Sequence, residues 1–128
     1  MDFSHLSGIT GYSEKQTVPA DSAASYGSGL VDVFSTPAMV AFAEASCMKS
    51  VSALLPDGHS TVGTMVHFTH EKATPIGDMV RCICKVIVAE GRRLVFDVEL
   101  SDSKGIIGRG SHERYIIDMQ KFMAKLNS

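Results

Sequence analysis

The chain has 128 residues, 45% of them hydrophobic and 20% charged, with a formal net charge of -2 and a pI near 6.2. This predicts one globular domain over residues 1–128, long enough to bury a core without staples. The charge balance leaves no basic field for nucleic acid or an anionic membrane, and the absence of Trp argues against a base-stacking surface. Three cysteines, Cys47, Cys82 and Cys84, form no disulfide pattern. They point to a reducing, cytoplasmic setting. The opening "MDFSHLSGIT" has neither the basic nor the apolar part of a secretory signal, and no apolar run of membrane-spanning length occurs.

The first predicted element is a weakly alternating strand over Gly8–Val18, stopped by Pro19. An Ala-, Ser- and Gly-rich stretch follows, either a lid or a loop holding a short helix. Thr36–Leu55 is the predicted long helix. Thr36 precedes Pro37 and suits the N-cap, while Pro37 suits the first helical position. Val40, Cys47, Met48, Val51 and Leu55 make an apolar stripe, and Pro56, Asp57 and Gly58 end the helix. Four strands are then expected. "TVGTMVHFTH" should place Val62, Thr64, Val66, Phe68 and His70 on one face, and Cys82 and Cys84 share a face of the next as small apolar residues. "RRLVFDVELSD" and "GIIGRGSHERYIID" complete the set, with Gly108 and Gly110 marking a bulge or a tight approach. "MQKFMAKL" is a closing amphipathic helix. Short connections between these strands predict an antiparallel sheet, with the long helix across its concave face.

Glu44 is the residue that does not fit. It lies one turn from both Val40 and Met48, inside the predicted stripe. A carboxylate there costs several kcal/mol if it is left ionised and unpaired. It either serves chemistry or sits at the stripe's margin, reaching water or a basic partner. His70, at a strand end on the face of Val66 and Phe68, is the histidine best placed to meet the helix, ahead of His59 and His67. Thr36 either caps the helix or orients a substrate carbonyl at the positive end of its dipole. Gly63 either marks a bulge or lets a ligand approach the backbone. An acid, an imidazole, a hydroxyl and exposed backbone donors suit acyl transfer to water. No G-x-S-x-G nucleophile elbow and no zinc-ligand spacing is present, so no metal site is expected.

In "STPAMVAFAEAS", "TVGTMVHFTHEKATPIGD", "GRRLVFDVELSD" and "GRGSHERYIID" the chain resembles hotdog-fold acyl-CoA thioesterases of the fluoroacetyl-CoA thioesterase-like family. The resemblance covers roughly Gly8 to Asp118. It implies an α+β hotdog fold, a five-stranded antiparallel sheet wrapped around a long central helix. It also implies Thr36, Glu44 and His70 as the catalytic set, Gly63 beside the thioester, and Arg114 as a contact to substrate or cofactor. Arg114 could equally form a surface or dimer salt bridge. The implied activity is hydrolysis of a small acyl-CoA, with CoA part of the substrate and no separate cofactor. A homodimer or dimer of dimers is implied, its site at the interface. Before the helix the chain departs from the fluoroacetyl-specific members. "SYGSGLVDVF" offers Tyr26 and Phe34 where those members carry lid phenylalanines, which favours general acyl-CoA hydrolysis. The alternatives are a non-catalytic acyl-CoA binding or sensing module, or a hydratase, whose short Asp and His motif is missing.

Overall fold

Alternation builds the middle of the sheet. In β3 (Met79–Glu90) Val80, Cys82, Cys84 and Val86 are buried, and in β4 (Arg93–Asp102) so are Leu94, Phe96, Val98 and Leu100. Their side chains form one inward layer, the face that a half-solvated sheet must cover. The computed structural model, which describes residues 2–128, adds β1 (Thr10–Gln16), β2 (His59–His70) and β5 (Gly105–Asp118). All neighbours pair antiparallel in the order β1-β3-β4-β5-β2.

That order puts β1 and β2, consecutive strands, at opposite edges. Their connection must cross four inter-strand steps, roughly 19 Å at the usual spacing. The long helix α2 (Thr36–Ser52) spans about 25 Å at 1.5 Å per residue and makes the crossing over the concave face. The buried row of α2 is Ala38, Met39, Phe42, Ala43, Ser46, Cys47 and Val51. The predicted stripe is therefore rotated: Val40, Glu44 and Met48 lie on its flank. All three cysteines are buried and free, packed as core side chains. A short helix α1 (Ala23–Tyr26) and a bridge pairing Ser22 with Phe34 fold the predicted lid region against the body. The closing helix α3 (Met119–Leu126) has no buried residue.

Two expectations change. The helix is capped by Ser35, not Thr36: the Ser35 hydroxyl accepts from the Ala38 N–H at 3.2 Å, and its backbone is extended. Thr36 becomes the first helical residue, because the cap's hydrogen bond fixes the boundary more strongly than the bias of a residue before proline. In β2 the pairing jumps from Gly63↔Arg114 to Met65↔Glu113, so Thr64 is an inserted residue. A bulge flips the pleat. Thr61 and Gly63 therefore share the inward face with Val66, Phe68 and His70, whereas Val62 and Thr64 do not. Gly108 and Gly110 prove to be tight approaches, since a side-chain carbon at either would collide with the β2 carbonyls of Thr69 and His67.

Replacing Ser35 by Ala leaves the Ala38 N–H uncapped. Urea denaturation should show a loss of about 1 kcal/mol.

Candidate active site

The candidate residues stand on three elements, the flank of α2 and the inward rows of the paired strands β2 and β5. At the start of α2, Thr36 Oγ1 and His70 Nδ1 are 2.8 Å apart. His70 ends β2, and the loop after it is pinned by buried Asp102, which accepts from Lys72 Nζ at 2.9 Å and Thr74 Oγ1 at 2.8 Å. Burial holds the His70 imidazole below its ordinary value of 6.5, partly offset by the Lys72 backbone, so the ring is neutral at pH 7. Its Nε2 is buried without a hydrogen-bond partner. An unpartnered buried nitrogen calls for a functional explanation. A cleft of about 300 Å³ opens here, lined among others by Phe34, Ser35, Thr36, His70 and Lys72. Of the two predicted lid aromatics, Phe34 lines this cleft, while Tyr26 is exposed and lines another beside Lys15 and Lys49.

The helix terminus offers fewer free donors than its sequence promises. Pro37 has no N–H, and Ala38 is capped by Ser35. Met39 donates to the Ser35 carbonyl. Among the described residues, the Thr36 N–H is the first-turn donor left for an oxyanion.

The second cluster lies two turns further along. Glu44 presents a side chain that is 41% exposed, with Oε2 3.7 Å from Nη1 of Arg114, itself 7% exposed. Glu44 is thus a flank carboxylate with a cationic neighbour, not a residue sunk in the core. Gly63 faces it. A side-chain carbon there would stand 2.8 Å from Glu44 Oε2, 3.2 Å from the His112 ring and 3.4 Å from Arg114 Nη1. The bulge reading of Gly63 agrees with the register shift beside it, and the groups that stand close to its backbone are the side chains of Glu44, His112 and Arg114. Arg114 is buried rather than on the surface. Its Nε donates to Thr61 Oγ1 at 2.6 Å, its Nη2 to the Thr61 carbonyl at 2.8 Å and its Nη1 to His112 Nε2 at 3.1 Å.

Thr61 and His112 are the residues that sequence reasoning passed over. Alternation in "GSHERYIID" was a usable signal: His112, Arg114 and Ile116 are two apart and all buried. Thr61 was hidden by the bulge.

Within one chain the two clusters stay apart. Thr36 and Glu44 are eight residues apart, roughly 12 Å along the helix axis. Gly63 and His70 are seven apart, roughly 23 Å along a strand. No hydrogen bond or ion pair among the described residues joins them, and Glu44 does not line the His70 cleft. The expected convergence of Glu44 and His70 in one cleft therefore does not occur in a single chain, because both elements holding them are rigid.

His70 and His112 both bind protons less readily folded than unfolded, chiefly through burial. Below their ordinary value of 6.5 the unfolded chain takes up protons that the folded chain refuses. Stability should therefore fall as pH drops from about 6.5. The urea midpoint should be lower at pH 5.5 than at pH 7.5, and a midpoint unchanged or higher at pH 5.5 would contradict the buried neutral imidazoles.

Residues 18–120 match the profile of the fluoroacetyl-CoA-specific thioesterase family FlK. The fluoroacetyl-CoA thioesterase of Streptantibioticus cattleyicolor is 38% identical over 95 residues, covering 74% of this chain and 68% of that protein. A solved structure of the fluoroacetyl-CoA thioesterase FlK superposes with a TM-score of 0.89 at 31% identity, covering 94% of each chain. A hot-dog-like protein from Thermanaerovibrio acidaminovorans superposes with a TM-score of 0.88 at 23% identity, covering 98% of this chain and 95% of that one, a likeness of fold. With its five-stranded antiparallel sheet around a long helix, this hotdog-fold chain belongs to the fluoroacetyl-CoA-specific thioesterase family.

Proposed function

We infer that this chain is an acyl-CoA thioesterase, hydrolysing a small acyl-CoA to the free acid and CoA. The observation that carries the mechanism is a half-exposed carboxylate, Glu44, set over a strand position with no side chain, Gly63, beside the fixed charge of Arg114. A thioester can reach the backbone there, and a carboxylate is at hand to activate water.

In the reaction we assign to it, Glu44 takes a proton from water as the water oxygen bonds to the thioester carbon. The tetrahedral oxyanion is met by the Thr36 N–H at the positive end of α2, while the Thr36 hydroxyl donates to His70 Nδ1. The C–S bond then breaks, and its electron pair leaves on the CoA thiolate. Neutral His70, whose Nδ1 accepts from the Thr36 hydroxyl, presents its Nε2–H to the departing sulfur. Direct attack by Glu44 would instead give an anhydride that water opens, with the same net balance. A single turnover in 18O-water separates the two, since only the anhydride path labels the Glu44 carboxylate.

The separation of the two clusters supports a homodimer. β2 is an edge strand with exposed Met65 and Val66 and one unpaired row of backbone groups. Antiparallel pairing of two β2 strands about a two-fold axis near these residues sets the His70 end of one chain opposite the Thr61–Gly63 segment of a second copy. Each site then combines Thr36 and His70 of one chain with Glu44, Gly63 and Arg114 of the other. Among the described residues no helix is long and apolar enough to cross a membrane. With three free thiols, we place the enzyme in the cytoplasm.

Release of free thiol from short, branched and aromatic acyl-CoAs tests the activity. Glu44→Gln should lower turnover by about 10²–10⁴-fold. Wild-type turnover in that variant would leave a binding module as the better description. Mixing inactive Glu44→Gln and His70→Ala chains should restore activity, because a mixed dimer contains one site with both groups intact. Dimers that exchange chains yet stay inactive would exclude the shared site. Gly63→Ala should displace the Glu44 carboxylate and cost about 10²-fold in kcat/KM, the scale of a 1 Å misplacement.

A further inference from the structure

His112 is fully buried, between the rings of Phe68 and Phe96 at centroid distances of 6.1 and 6.4 Å. Both ring nitrogens are engaged. Nδ1 lies 2.7 Å from the Met65 carbonyl, and Nε2 lies 3.1 Å from Arg114 Nη1. A carbonyl only accepts and a guanidinium only donates. Nδ1 therefore carries the proton and Nε2 the lone pair, and the ring is neutral.

Counting donors on Arg114 shows what this ring controls. Of its five N–H groups, Nε–H and one Nη2–H are held by Thr61, and one Nη1–H is held by His112. Nη1 is also the nitrogen nearest Glu44 and one of the three atoms nearest a Gly63 side-chain position. Its second N–H has no hydrogen-bond partner among the described residues and is directed by the first. At its other side His112 grips the Met65 carbonyl, just past the inserted residue of the β2 bulge.

We propose that His112 is the positioning residue of this site: in its neutral Nδ1–H form it locks the Arg114 guanidinium and the Gly63 bulge together, so that one Nη1 N–H stays aimed at the Glu44 carboxylate side. The kinetic part rests on the thioesterase reading above; the orientation of Arg114 does not. Protonation would break the device. Nε2–H would face the guanidinium, a cation against a cation, and Arg114 would lose the acceptor that β5 gives it. The charged groups facing the ring are Arg114 on β5 and Glu44 on α2. β2 and β4 present the Met65 carbonyl and two uncharged phenyl rings.

Three variants and one spectroscopic readout test this. His112→Phe keeps ring volume and loses both hydrogen bonds, whereas His112→Gln supplies an uncharged acceptor for Arg114. In wild type, 15N shifts should report the Nδ1–H tautomer, and the Arg114 side-chain N–H signals should be ordered and slow to exchange. His112→Gln should keep those signals and hold them on acidification, where wild type loses them as His112 takes a proton. His112→Phe should lose them and lower kcat/KM by about 10²-fold, mainly through kcat. His112→Asn, which keeps the Met65 side alone, should resemble the Phe variant in its Arg114 signals. An Nε2–H tautomer or imidazolium at neutral pH in wild type would overturn the proposal, as would Arg114 signals equally ordered in the Gln and Phe variants. If the Phe variant does not fold, the wild-type tautomer and the Gln and Asn comparison decide. Absent thioesterase activity in a wild type with these signals intact would count against the thioesterase reading alone.

Discussion

A guanidinium buried where α2, β2 and β5 meet constrains everything around it. Removing a charge from water costs several kcal/mol unless its donors are satisfied, and an unpaired partner costs more still. Arg114 meets this demand with the side chain and carbonyl of Thr61, the lone pair of His112 and the nearby charge of Glu44. Each partner then acquires a requirement of its own. His112 must stay neutral, Thr61 must face inward, and position 63 must have no side chain. The bulge at Thr64 lets Thr61 and Gly63 share the inward face with Phe68 and His70 on one strand.

The same helix that covers the core also sets the scale of the site. α2 is a rigid rod across the sheet, so Thr36 at its start and Glu44 two turns on have fixed places. Burial of Met39, Ala43, Cys47 and Val51 holds the rod down and leaves Glu44 on the flank that faces β2. A carboxylate on that flank keeps contact with water while lying against a buried cation.

Much of the fold was legible because Val80 to Val86, Phe96 to Leu100 and His112 to Ile116 alternate and α2 is bracketed by Pro37 and by Pro56 to Gly58. Part of each cluster was legible by type: Thr36, Glu44, Gly63 and His70 stood out in the sequence, Arg114 came with the family resemblance, and Thr61 and His112 were not named. Their grouping was not. Placing Glu44 in the core stripe assumed a helix rotation that only contact with the sheet fixes. The face of Thr61 depended on an inserted residue, which strict period-two counting carries to the wrong side. His112 was visible as the alternate neighbour of Arg114, yet a lone histidine in a strand gives no sign of what its two nitrogens touch.

By itself, the sequence determined the elements and the chemical groups, because periodicity, capping and breakers act over a few residues. Tertiary structure alone decided which groups share a cluster, which ring nitrogen holds a proton, and that Glu44 and His70 stand apart within one chain. Those outcomes depend on strand order, helix rotation and one bulge, which arise from packing between segments far apart in the chain and leave no local trace.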